Sequence, residues 1–181
     1  IDHQSLKEVN PKIITCSISG FGDTEVNRPA YDNLIQGYAG AMSITGTDKE
    51  NPVKSGIPIA DLGAGLYAVI GILSAIQSRE KSDSGEHVDI SMLDTQVSLL
   101  TYMATMHFLS GENPEPIGNQ HMNHVPFNSY RTSDGFIQIG VVAEDFWPSL
   151  IEALDLRQLD TEENKVNFLT PKISLRSAPG H

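Results

Sequence analysis

The chain has 181 residues, 39% of them hydrophobic and 7% aromatic, enough apolar material for one buried core or slightly more. Its formal charge of −11 speaks against a nucleic-acid or anionic-membrane partner, because phosphate binding draws on clustered Lys and Arg. A single cysteine, Cys16, leaves no internal disulfide framework and no cysteine-built metal site.

Residue 1 is Ile rather than Met, and residues 5–11 read as the last turns of a helix whose start lies upstream, stopped by Pro11. Both ends are therefore expected to be cut, and a targeting signal cannot be read. The β-branched content of residues 12–19 predicts a buried strand with Cys16 inside it, closed by Gly20-Phe21-Gly22. Helical spacing covers residues 31–44, and a loop follows through Asn51-Pro52. A longer helix starts around Asp61, runs to about Arg79 and ends in the polar residues 81–85. Its apolar run, residues 62–76, stops short of the roughly 18 needed to span a membrane and reads as a buried helix. Residues 87–91 alternate as a short strand, and Ser91-Met92-Leu93-Asp94 is a capping box that opens one helix reaching Gly111.

Strand, helix, strand, helix predicts an α/β layer for residues 1–111. Residues 112–126, rich in Pro and Asn, read as a linker. Residues 127–155 predict the start of a small α+β domain. There Phe127 to Tyr130 and Phe136 to Val142 flank Thr132-Ser133-Asp134-Gly135, whose Asp-Gly is a hairpin signal, and Glu144-Asp145 open a helix through Leu154. Residues 156–181 carry no clear pattern.

The segment Gly56-Ile57-Pro58-Ile59-Ala60-Asp61-Leu62-Gly63-Ala64-Gly65 places one carboxylate at a helix start rich in small residues. On local grounds Asp61 is a cap, since its oxygen can accept first-turn N–H groups; a nucleophile is the alternative. Gly63-x-Gly65-x-x-Ala68 imitates a dinucleotide fingerprint, but Pro58 and Asp61 break the regular buried strand that must precede one. Close helix packing explains these glycines better. His121-x-x-His124 has metal-ligand spacing, yet it lies between prolines without a carboxylate as third ligand, so it reads as a loop pair and no metal is expected. No Gly-x-Ser-x-Gly elbow or Walker loop supports hydrolase or nucleotide chemistry.

Several separated segments together resemble the class III coenzyme A transferase family, which includes formyl-CoA and carnitine-CoA transferases. The resemblance covers about residues 6–155. It rests on Asn10-Pro11-Lys12-Ile13-Ile14-Thr15-Cys16-Ser17-Ile18-Ser19-Gly20-Phe21-Gly22, Arg28-Pro29-Ala30-Tyr31-Asp32, Ser43-Ile44-Thr45-Gly46 and Pro52-Val53-Lys54. Further pieces are Pro58-Ile59-Ala60-Asp61-Leu62, Gly71-Ile72-Leu73, residues 85–94, Gly118-Asn119-Gln120-His121, Pro126-Phe127 and Tyr130-Arg131-Thr132-Ser133-Asp134-Gly135. The family's fold would make the chain part of a Rossmann-like large domain followed by a small domain, in proteins that are considerably longer and interlock as dimers.

The resemblance implies that Asp61 is the catalytic aspartate, which forms an anhydride and then an aspartyl-CoA thioester. It places Tyr31, Asp32, Gly63, Ala64 and His121 at the CoA or substrate site. Glycines after Asp61 are expected to leave room for the thioester, and the N–H groups of residues 62–64 to face a developing oxyanion. Related racemases carry a histidine where this chain has Tyr31, and a phenol, titrating at about 10 in simple peptides, is a poor proton-transfer partner. Transferase is thus favoured over racemase, while locally Tyr31 reads equally as a packing aromatic and Asp32 as a loop cap. The resemblance implies no permanently bound cofactor, a coenzyme A thioester and a carboxylic acid as substrates, a homodimer at full length, and a cytoplasmic location, or an organelle in a eukaryote. A catalytically silent fragment acting as a dimerisation unit is the other class of reading.

Overall fold

The computed structural model describes residues 2–24, 26 and 28–161. Its chain divides into a first unit through Pro116 and a second that begins at Ile117. The first helix, α1 (His3–Val9), starts inside the chain rather than upstream: the Asp2 carboxylate accepts the Ser5 N–H at 2.8 Å and caps it. After Pro11 the chain enters β1 (Thr15–Ser19), three residues shorter than expected, which pairs in parallel with β2 (His87–Ser91) from Thr15↔His87 to Ser19↔Ser91. A parallel pair needs a crossover, and here it contains α2 (Asp32–Tyr38), a short 3-10 turn (Ala41–Ile44) and α3 (Ile59–Ser82). The helix expected over residues 31–44 is split because Gly40 adopts a left-handed conformation, φ 80°.

Directly after β2, α4 (Met92–Ser98) begins as the capping box predicted, with the Ser91 hydroxyl accepting the Asp94 N–H at 3.1 Å. The Leu93 N–H also donates to the Gly20 carbonyl at 3.0 Å, tying this helix start to the end of β1. The single helix predicted to Gly111 is broken, and a separate α5 (Tyr102–Ser110) follows. Thr101, at φ 50° and ψ −122°, turns the chain there, a conformation that costs a non-glycine residue about 1–3 kcal/mol.

The core lies where α2, the start of α3 and α4 meet. Ile35, Ala60, Ala64 and Met92 are buried together, with Phe21, Ala30, Ile90 and Leu93 packed around them. The small side chains let the helices approach closely. A Cβ on Gly63 would stand 3.0 Å from Thr95 Cγ2 and 3.3 Å from Leu99 Cδ1, and one on Gly71 only 2.6 Å from Val88 Cγ1 of β2.

Two expectations fail on burial. β1 is not a buried strand, and Cys16 is exposed. An open groove beside it is lined by Ile14 and Cys16 on one side and by Ile72, Ile76 and Arg79 of α3 on the other. On the strand pair, Thr15 and Ser17 carry a polar ladder instead: the His87 ring contacts the Thr15 hydroxyl at 2.8 Å and the Ser17 hydroxyl at 3.1 Å, and Ser17 donates to Asp89 at 3.0 Å. Nor is α3 buried all round, since Leu62, Leu66, Val69, Ile70 and Leu73 are exposed. Against the sequence reading, α3 is long and apolar enough to cross a membrane by length and composition alone, with a mean hydropathy of 1.9 over 18 residues. It packs on β1 and β2, the two strands that pair in parallel among the described residues.

The second unit holds β3 (Phe127–Arg131) and β4 (Phe136–Gly140), antiparallel with Phe127↔Gly140 and Arg131↔Phe136 as end pairs. The Thr132 N–H donates to the Gly135 carbonyl at 2.9 Å, so Ser133 and Asp134 are the central turn residues. Asp134-Gly135 is therefore one position late for the turn it signalled. The helix α6 (Phe146–Ala153) follows, with Ile151 buried, and a 3-10 turn (Arg157–Leu159) closes the described part. The patternless tail beyond residue 161 lies outside the described residues.

Candidate active site

Asp61 is the third residue of α3. Ala60 before it and Ala64 one turn on are both 0% exposed, so the backbone carrying the carboxylate is clamped in the core. The Asp61 side chain is exposed, with no hydrogen-bond partner among the described residues. Asp61 is therefore not the cap that its local sequence suggested.

The first-turn amides are otherwise occupied. Ile59 N–H donates to the Ile57 carbonyl at 2.8 Å, Ala60 N–H to Asp32 Oδ1 at 2.9 Å and Leu62 N–H to the Pro58 carbonyl at 3.0 Å. The N–H of Asp61 itself is the first-turn amide without an acceptor among the described residues. A carboxylate and a free amide thus share the electropositive end of a 24-residue helix.

Gly63 and Ala64 turn inward from the Asp61 carboxylate. Both are buried, and the space that Gly63 leaves is filled by Thr95 and Leu99 rather than open to a ligand. As the fifth and sixth residues of the helix they commit their N–H groups to its own ladder, so they have none to offer an oxyanion. The open ground is at Gly65, where a Cβ would meet nothing within 4 Å; four residues from Asp61, it shares that residue's face.

Tyr31 and Asp32 begin α2. Tyr31 is extended at φ −139° and 67% exposed. Asp32 reaches the start of α3: its Oδ1 accepts from Ala60 N–H, and its Oδ2 accepts from Gln36 Nε2 at 2.6 Å. Gln36, 1% exposed, accepts the Ser55 N–H at 2.8 Å through its own oxygen. The sequence reading missed Gln36, although Asp-x-x-x-Gln is a spacing at which helical side chains meet. It also missed Arg28, whose guanidinium lies 5.0 Å from the Phe21 ring centre and 4.6 Å from that of Tyr38, fastening the loop before α2.

His121 belongs to the second unit. Its ring lies 4.5 Å from that of His124 and 5.3 Å from that of Phe127, and its Nδ1 accepts the Asn123 N–H at 3.1 Å. When neutral it therefore carries its proton on Nε2. Among the described residues, no cluster of three or more His, Cys, Asp or Glu side chains could hold a metal ion.

The family described as CoA-transferase family III matches residues 1–170. The chain belongs to this family. The match continues past Leu156, correcting the view that family pattern stops there. The succinate–glutarate CoA-transferase of Agrobacterium fabrum is 35% identical over 165 residues, covering 90% of this chain and 41% of that protein. The human succinyl-CoA:glutarate CoA-transferase is 31% identical over 172 residues, 93% of this chain and 39% of its own length. A CAIB/BAIF family protein from Brucella suis superposes with a TM-score of 0.79 at 36% identity, over 93% of this chain and 44% of that one. This CoA-transferase family III chain thus spans about two-fifths of its curated relatives, and its α/β fold is the family's.

Proposed function

We propose that the whole protein moves coenzyme A from an acyl-CoA to a carboxylic acid, with Asp61 as nucleophile. The observation that carries this reading is an exposed, unpartnered carboxylate on a core-clamped helix start, with open ground one turn on at Gly65. A capping Asp would spend an oxygen on the first-turn N–H groups, and Asp61 does not.

The Asp61 carboxylate attacks the thioester carbonyl carbon; its new C–O bond replaces the C–S bond, giving a mixed anhydride and CoA thiolate. The thiolate then attacks the aspartyl carbonyl, releasing the donor acid and leaving an aspartyl-CoA thioester. The acceptor carboxylate displaces the thiolate to form a second anhydride, and thiolate attack on the acceptor acyl carbon restores Asp61. Each exchange trades one activated acyl group for another, so the thioester's free energy is kept. The free Asp61 N–H is the amide available to the developing oxyanion, in place of the residue 62–64 amides. Tyr31 contacts the CoA or acyl part in this reading; the contacts of Gly63 and Ala64 are packing, and that of His121 rests on the resemblance.

Relatives named for succinyl-CoA with glutarate or mesaconate favour succinyl-CoA as donor and a dicarboxylic acid as acceptor. We place the protein as a homodimer in the cytoplasm or an organelle matrix. Trapping tests the mechanism: with succinyl-CoA and hydroxylamine, a hydroxamate should appear on Asp61 by peptide mass spectrometry. Turnover with Asp61 unmodified would overturn it.

A further inference from the structure

We infer that Asp32 is a positioning residue for Asp61 rather than a substrate contact, acting with Gln36 as a two-point clamp on the segment that leads into α3. This rests on the transferase reading above. Both Asp32 oxygens are already engaged inside the protein: Oδ1 takes the Ala60 N–H at 2.9 Å and Oδ2 takes Gln36 Nε2 at 2.6 Å. The other end of the Gln36 amide takes the Ser55 N–H at 2.8 Å. One turn of α2 therefore grips the lead-in segment at Ser55 and at Ala60, and the second grip is on the residue next to the nucleophile.

The lead-in segment needs such a grip from outside. Pro58 stands at the cap position of α3, where it offers no side-chain acceptor, and the first-turn Asp61 points its carboxylate to solvent. Asp32 supplies the missing cap from a different helix, 28 residues away in the chain. Gln36 is 1% exposed, so the linkage is shielded from competing water. A hydrogen bond fixing the amide before Asp61 sets the direction in which the next residue leaves the helix start. A nucleophile displaced by about 1 Å loses on the order of 100-fold in rate.

The experiment uses the whole protein with succinyl-CoA and glutarate, following kcat, KM and hydrogen exchange at the Ala60 amide. Asp32→Ala should lower kcat by about 100-fold, change KM for succinyl-CoA by less than about 3-fold, and speed exchange at Ala60. Asp32→Asn retains an acceptor for Ala60 but turns its own NH2 toward Gln36 Nε2, so it keeps one grip of the two and should recover kcat in part, to about 10-fold below the wild type. Asp32→Glu keeps the charge but moves the oxygens by a methylene, so it should be worse than Asn. That order carries the test even if the Ala variant fails to fold, because a charge or substrate-contact role predicts Glu better than Asn. A raised KM at unchanged kcat, Glu above Asn, or unaltered exchange at Ala60 would each overturn the inference. Asp61→Ala separates the two readings: an active wild type with an inactive Asp61→Ala leaves the Asp32 variants to decide. No CoA transfer by the wild type would remove the proposed function and this inference with it.

Discussion

One face of α3 buries Ala60, Gly63, Ala64, Ala68 and Ala75, while Leu66, Ile70 and Leu73 on other faces are 67%, 58% and 61% exposed. Hydrophobicity does not separate the two sets, and by that measure the exposed one should be inside. Size separates them. Close approach of α4 and β2 admits only small side chains, as the short distances from a Cβ at Gly63 or Gly71 show, so the packed face is chosen by volume. Asp61 and Gly65 lie along one margin of the packed face, away from Leu66, Ile70 and Leu73, so the chemistry sits at the edge of the packing rather than among the exposed apolar residues.

Four substitutions sharpen that division. The largest effect is expected from Asp61→Ala in the whole protein: CoA transfer should fall at least about 1,000-fold while urea-unfolding stability changes by less than about 0.5 kcal/mol, since the side chain is exposed and unpartnered. A stability loss of several kcal/mol would put Asp61 on the packing side. Gly71→Leu, which drives a side chain into Val88, should cost about 3 kcal/mol in the same measurement. Ser91→Ala removes the cap of α4, the helix backing the small face, and should cost about 1 kcal/mol. Leu73→Gln, on the exposed side, should stay within about 0.5 kcal/mol for this chain; a loss above 2 kcal/mol would mean that this face is covered.

The sequence announced these elements unevenly. The strand at residues 87–91, the Ser91 cap and the long helix after Pro58 were legible because periodicity and cap chemistry are local properties. Burial was not. The sequence pattern of β1 cannot show that no described element closes over Cys16, and the apolar run of α3 does not reveal which side a neighbour will take. Asp61 was singled out but locally misread as a cap. The acceptor that completes this helix start is Asp32, and only the fold brings it to Ala60. The positive φ at Thr101 carries no composition signal at all, whereas Gly40 at least is a residue suited to its turn.

The parallel pairing of β1 with β2 has a kinetic consequence. Thr15 meets His87 across 72 positions of chain, and closing a loop of that length carries a length-dependent entropic cost of about 4 kcal/mol before the first rung forms. The helices between them can assemble through contacts much nearer in sequence. The strand ladder should therefore be among the last structure to form during refolding and, with neither strand paired on its outer side among the described residues, the part most exposed to pairing with another chain on the way.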